Sequence, residues 1–198
     1  MNEIEFFNKV AHNWDNHCRH DKDKIIKIIE LSDLYYGAKV MDVGCGTGIL
    51  IPYLAEKVGE EGRVFAVDFS ENMIKMAMDK YSGFMNVEFI NRDVFELDMK
   101  DALDFVMCYS VFPHFEDKEK AVEKFHSFLK RNGRLIIAHS NGREHINNHH
   151  ENHEAECLRR AYLPEGKFVA EILKNKGFKP DKVIDNDEMY FVSGVKEL

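Results

Sequence analysis

Proline, cysteine and long apolar runs are all scarce in this chain. Four prolines and 12 glycines in 198 residues are too few for a disordered or fibrous protein. The four cysteines, Cys18, Cys45, Cys108 and Cys157, are widely spaced with no Cys-x-x-Cys pair, which gives a disulfide framework little support and points to a reduced, cytoplasmic compartment. Apolar stretches such as Phe105 to Tyr109 fall far short of the roughly 18 residues that span a membrane. The opening MNEIEFFNKV has no basic segment followed by an apolar core. No membrane span and no targeting segment are therefore expected. Positive charge is short as well: 27 Lys and Arg against 35 Asp and Glu leave a net charge of −8, a balance that repels phosphate backbones, so no nucleic-acid partner is expected.

What remains is an ordinary globular composition, 44% hydrophobic and 31% charged, at a length that suits one domain over residues 1–198. Five short runs rich in β-branched or aromatic residues read as strands covered on both faces: Lys39–Val43, Arg63–Val67, Val87–Ile90, Asp104–Tyr109 and Arg134–Ala138. Between them, helical spacing of apolar residues marks Ile49–Val58, Ser70–Tyr81 and Asp117–Leu129. Ser70 reads as an N-cap, Pro52 suits an early helical turn, and Asn132-Gly133 reads as a C-terminal stop. This alternation predicts a doubly wound α/β sheet with helices on both faces. Past Ser140 the rhythm breaks into a polar, histidine-rich segment, residues 140–163, expected to act as a mobile lid. A helix over Gly166–Lys176 and two closing strands, Lys179–Ile184 and Met189–Val195, follow as an antiparallel hairpin.

The chemistry concentrates at the carboxyl ends of the first strands. Val43 to Gly48 reads V-G-C-G-T-G, where Gly44, Gly46 and Gly48 permit a sharp turn and close approach of a ligand to the backbone. Asp68 ends the second strand, where a carboxylate can accept hydrogen bonds from both hydroxyls of a ribose, and Asp93 follows the third. The glycine spacing departs from the G-x-G-x-x-G of nicotinamide-binding domains.

The ordered set MDVGCGTG, VFAVDFSENMI, NRDV, DFVMCYSVFPHF and LKRNGRLIIAH resembles the motifs of class I S-adenosylmethionine-dependent methyltransferases, in the menaquinone and ubiquinone methyltransferase-like branch. The resemblance covers roughly Phe6 to Val195. It implies a Rossmann-like, doubly wound, seven-stranded sheet, mostly parallel with one antiparallel edge strand, and an N-terminal helical cap over residues 1–36 that carries AHNWD. It also implies S-adenosyl-L-methionine as cofactor, held by Asp42, Gly44, Cys45, Gly46, Gly48, Asp68, Phe69, Met73, Asp93, Val94, Cys108 and Tyr109. In that reading Asp42 orients the glycine loop and the cofactor's amino group, Asp68 binds the ribose, Phe69 lies beside the adenine, Asp93 meets its amine, and the backbone at Cys108 and Tyr109 borders the sulfonium.

Ten histidines are present. On a continuing helix, His145, His149, His153 and Cys157 would follow one stripe at four-residue steps, read either as a solvated face or as part of a metal site. His114 and His139 follow strands on the cofactor rim, so they are the candidate catalytic residues, with packing as the alternative. His20 and His150 are added as weaker candidates, because His20-Asp21 and the R-E-x-I-N-x-x-H pattern resemble relatives of this branch. Tyr109, Phe112, Phe115 and Trp14 suggest an apolar acceptor wall. The expected function is methyl transfer to a small-molecule acceptor by a monomer or homodimer. A non-catalytic cofactor-sensing module and a metal- or metalloid-directed methyltransferase stay open, and a metal is allowed for without being assigned.

Overall fold

The five short apolar runs all become strands: β1 Lys39–Val43, β2 Arg63–Asp68, β3 Val87–Asn91, β4 Leu103–Tyr109 and β5 Leu129–His139. The closing hairpin supplies β6 Phe178–Asp185 and β7 Tyr190–Lys196. The structure is a computed structural model that describes residues 1–197. Its strands form one seven-stranded sheet in the order β3-β2-β1-β4-β5-β7-β6. The chain divides into two compact units, Met1–Leu97 and the part from Asp98 onward, which are described in turn.

In the first unit β1, β2 and β3 are parallel neighbours, with Asp42 level with Ala66 and Asp68 level with Asn91. Val40, Met41, Val64, Ala66 and Val67 are buried, as strands covered on both faces require. The helices are α1 Glu3–Val10, the short α2 Trp14–His17, α3 Lys22–Leu31, α4 Ile51–Val58 and α5 Glu71–Tyr81. Local chemistry explains their starts. Asn2 and Glu5 form a capping box on α1, Asp21 caps α3, and the Ser70 hydroxyl accepts from Met73 N at 3.3 Å to cap α5. Helix α4 begins two residues later than the spacing predicts. Tight turns occupy the intervening residues, with Gly48 N donating to Cys45 O and Ile51 N to Gly48 O.

In the second unit β4 and β5 are parallel, while β7 runs antiparallel to both β5 and β6. The antiparallel strand therefore sits one place in from the edge, and β6 forms the edge itself. After the buried Phe178 that edge alternates exposed and half-buried residues, and it carries Lys179, Pro180 and Lys182, residues that discourage edge-to-edge pairing. Helix α6, Lys118–Phe128, is capped by Asp117 and buries Ala121, Val122, Phe125 and Phe128. Helix α7 spans Arg143–Glu151 and α8 Gly166–Asn175, after which Gly177 turns the chain at φ +84°.

Two readings of the second unit are corrected. Strand β5 already begins at Leu129, which pairs with Leu103; Asn132, at φ +63°, lies within it rather than at a helix end. The histidine stripe does not run on to Cys157. Helix α7 stops at Glu151, and beyond it the His153 ring accepts from Ala155 N at 3.0 Å in a local turn. A polar run with few apolar side chains has little burial to carry a longer helix. The segment is nonetheless tied down through α7 itself, at its first residue and at its middle. Asn147 Nδ2 donates to Leu163 O at 3.0 Å and its Oδ1 accepts from Leu163 N at 2.8 Å, while Arg143 Nε donates to both oxygens of Asp185.

The paired Asn147 bonds give a direct test of what anchors α7. Asn147→Ala should lower unfolding stability by about 1–3 kcal/mol, because two backbone groups of Leu163 lose their partner. Urea titration reads the loss, and hydrogen exchange should speed up selectively across 143–151. Unchanged exchange there would show that the two bonds do not hold the helix.

Candidate functional site

The glycine loop of the first unit leaves β1 with three consecutive alternate residues in the left-handed region, Gly44 at φ +65°, Gly46 at +54° and Gly48 at +90°. At Gly48 a Cβ would also fall 2.8 Å from Ile51 Cδ1 and 2.9 Å from the Tyr81 ring, so both backbone and space demand glycine. Cys45 is buried beneath the loop, where burial first, and then the Asp68 and Asp42 charges, push its thiol well up. It is an inert packing group at neutral pH.

Asp68 holds this loop. Its Oδ2 accepts from Gly46 N at 2.9 Å and its Oδ1 from Ser70 N at 2.8 Å. One carboxylate thus joins the glycine loop to the turn that starts α5. Asp42, at the end of β1, is 2% exposed, and among the described residues nothing hydrogen-bonds its Oδ2. Burial, reinforced by the Asp68 charge, raises its carboxyl to about 8. A buried acceptor with no donor is costly, and it suits an incoming cationic or N–H group.

Asp93 lies beyond the end of β3, exposed, where it caps a turn of 3-10 helix over Val94–Glu96 by accepting from Phe95 N at 2.9 Å. Val94 and Met73 are buried. Phe69 is half-buried, edge-on to Phe7 at 5.9 Å.

The N-terminal helices close over these loops. Asn8 Oδ1 accepts from Ser70 Oγ at 2.9 Å and from Asn72 N at 3.0 Å; Asp15 accepts from Thr47 Oγ1 and pairs with Lys80 at 2.7 Å. The Trp14 indole nitrogen would lie 4.0 Å from a Cβ on Gly46. Trp14 therefore lies on the glycine loop, and with Asp15 it belongs to the AHNWD segment singled out from the sequence, whereas Asn8 and Lys80 are contributors that motif reading missed, since their partners are distant in sequence. His20 is half-buried; burial lowers its pKa and the Asp15 charge works against that.

The carboxyl rim of the second unit gathers a different set. Cys108 and Tyr109 end β4 in buried positions, and Tyr109 Oη donates to Ser140 Oγ at 2.9 Å. His139 ends β5, 1% exposed, with its ring edge-on to Tyr190 at 6.0 Å. Tyr190 was not foreseen. Its signal is topological: an antiparallel β7 brings its first residue level with His139 at the same rim. The Tyr190 hydroxyl is buried with no hydrogen-bond partner among the described residues, and burial raises its pKa far above the ordinary range. His114 occupies a 3-10 turn, Phe112–His114, and its ring lies 5.2 Å from that of His150. His150 is buried, and burial, together with the His114, His149 and His153 charges, lowers it to about 4. Of the expected aromatic wall, Phe112 is wholly buried and packs edge-on to Phe115, itself against Phe125, so it is core rather than lining.

With this geometry in view, comparison with known proteins is informative. A family model described as a methyltransferase domain matches residues 35–187, and the chain belongs to that family, of the class I S-adenosylmethionine-dependent type. Among curated proteins it is 30% identical over 134 residues to malonyl-[acyl-carrier protein] O-methyltransferase of Acetivibrio thermocellus, covering 67% of this chain and 47% of that protein. It is 29% identical over 110 residues to demethylmenaquinone methyltransferase of Staphylococcus epidermidis, covering 55% and 46%. The chain thus spans about half the length of the curated relatives it matches. Its fold is shared with a SAM-dependent methyltransferase from Aquifex aeolicus, at a TM-score of 0.72, 23% identity and coverage of 98% and 99%. It is shared too with phosphoethanolamine N-methyltransferase 2 of Haemonchus contortus in complex with S-adenosyl-L-methionine, at 0.76, 16% identity and coverage of 99% and 59%. Among the described residues no helix is long and apolar enough to cross a membrane.

The raised Asp42 carboxyl sets the sign of a pH effect. Between the ordinary carboxylate range and about 8 the folded state holds a proton that the unfolded state has released. Stability then falls as pH rises through that window, by at most about 1.4 kcal/mol per pH unit for one proton. Urea unfolding at pH 6, 7 and 8 should show a shallower decline for Asp42→Asn than for the parent. Parallel slopes would contradict a buried, proton-holding Asp42.

Proposed function

We propose that the protein transfers a methyl group from S-adenosyl-L-methionine to a small-molecule acceptor. The observation that carries this is the buried, unpartnered Asp42 Oδ2 beside a glycine loop that Asp68 fixes. Bound there, the cofactor supplies an electrophilic methyl on a sulfonium. Asp42 offers its free oxygen to the cofactor's amino group. Asp68 accepts from the ribose hydroxyls, Asp93 meets the adenine amine, and Phe69 lies beside the ring. The backbone at Gly44, Gly46 and Gly48 approaches the methionine portion, and Cys108 and Tyr109 border the sulfonium.

A neutral leaving group needs little acid catalysis, so holding the acceptor in line accounts for much of the rate. A base is required only where the attacking atom carries a proton. His114, half-buried, and His139, at the end of β5, are assigned to contact the acceptor or take that proton. A small acceptor is favoured over a nucleic acid by the net charge of −8 and by Y-S-V-F-P-H-F after β4, where amino-methylating enzymes carry N-P-P-Y or D-P-P-Y. We assign residues 140–163 as the segment that covers the acceptor, on the model of variable insertions on a constant scaffold.

Incubation with methyl-labelled S-adenosyl-L-methionine and a panel of small thiols, amines and phenols tests the reading. The parent should release S-adenosylhomocysteine with at least one acceptor. The His114→Ala, His139→Ala double variant should slow that release by about 100-fold or more, with S-adenosylhomocysteine affinity retained. Binding without turnover on any acceptor would make the protein a cofactor sensor. Parent-like turnover by the double variant would reduce both histidines to packing.

A further inference from the structure

Four histidine rings of the second unit lie in series: His114 to His150 at 5.2 Å between centroids, His150 to His149 at 6.0 Å, and His149 to His153 at 5.5 Å. Only the first pair combines metal-ligand spacing with a buried donor. A zinc-bound imidazole nitrogen sits about 2.0–2.1 Å from the ion, which puts each ring centroid about 3.2 Å away and two tetrahedral ligands about 5.2 Å apart. His150 is 9% exposed, and its Nδ1 is buried with no hydrogen-bond partner among the described residues. A buried ring nitrogen left in that state calls for a ligand.

Both rings are carried on fixed backbone, which a preorganised site requires. The turn that bears His114 is held by Lys118 Nζ, which donates to Pro113 O at 2.9 Å and to Phe115 O, and by Tyr162 N, which donates to Pro113 O at 3.2 Å. Helix α7, which bears His150, is clamped through Asn147 to Leu163. The outer pair is less suited. His149 is exposed, and His153 Nδ1 already accepts from Ala155 N.

We propose that His114 and His150 form an open two-histidine site for a divalent transition-metal ion of the zinc type. Among the described residues no group of three His, Cys, Asp or Glu side chains is gathered for a metal. The other coordination positions are therefore left to water or to an incoming sulfur, nitrogen or oxygen donor, with one protein ligand fewer than the three of catalytic zinc sites. The proposal goes beyond the methyl-transfer reading and stands or falls separately from it, because binding is read with neither cofactor nor acceptor present; while an ion is held, the proton-taking role assigned to the two rim histidines falls to His139 alone.

The test is titration of chelator-stripped full-length protein with Co2+, followed by its visible absorption, and with Zn2+ in competition with a chromophoric chelator. The parent should bind a single equivalent. His114→Ala and His150→Gln should each weaken binding by at least about tenfold, while His145→Ala, on the same helix as His150, should leave it unchanged. Unfolding midpoints accompany each variant, and if His150→Gln does not fold, the half-exposed His114 position decides alone. Parent affinity no higher than that of His114→Ala would overturn the proposal. So would binding that survives His114→Ala but is abolished by the His149→Ala, His153→Ala pair, which would place the ion on the outer rings.

Discussion

The end of β2 is where the first unit is knotted together. Asp68 takes the Gly46 amide on one carboxylate oxygen and the Ser70 amide on the other. Its own carbonyl accepts from Arg92 N at 3.1 Å and from Asn91 Nδ2 at 3.0 Å. Three loops, those leaving β1, β2 and β3, therefore share one residue. Ordering a loop residue costs about 1–2 kcal/mol in backbone entropy, and hydrogen bonds to a charged carboxylate return about 1.5–3 kcal/mol each. The two terms are of the same size, so the glycine loop keeps its left-handed turns because Asp68 is there to receive it. The N-terminal helices reinforce the knot from outside, through Asn8 to Ser70 and Asp15 to Thr47.

The second unit solves a different problem with the same sheet. Strands β4 and β5 deliver Tyr109 and His139 to their carboxyl ends, and the antiparallel β7 adds Tyr190 beside His139. Helix α7 supplies His150 from the insertion that follows β5. The two units thus differ in composition at the carboxyl ends of their strands. The first unit presents carboxylates and bare backbone amides, suited to a cationic, hydroxyl-rich nucleotide ligand. The second presents imidazoles and phenols, groups that can bind or exchange a proton.

Strands and caps were legible because their causes are local. The runs at Lys39–Val43 and Arg63–Val67 carry β-branched residues between turn signals, and Ser70 caps the helix that follows the second of them. Asp42, the glycines and Asp68 were legible because a strand, a tight turn and a helix impose a fixed spacing on them. Three features were not. The stop of α7 at Glu151 depends on how little the polar segment can bury, which a four-residue histidine period hides. Tyr190 reaches the rim only because β7 reverses direction between β5 and β6. Asn8 and Lys80 act on partners some 62 to 65 residues away, and no local pattern encodes such a contact.

The dependence of the proposed cofactor cradle on one carboxylate is tested most directly by Asp68→Asn, which keeps the size of the side chain and replaces one acceptor oxygen with a donor. Amide exchange at Gly46 and Ser70, read by NMR, and S-adenosylhomocysteine affinity, read by calorimetry, belong in one experiment. The account predicts that at least one of the two amides loses protection and that affinity falls by about 30-fold or more, with the unfolding transition still cooperative. Unchanged protection at both amides together with parent-like affinity would contradict it.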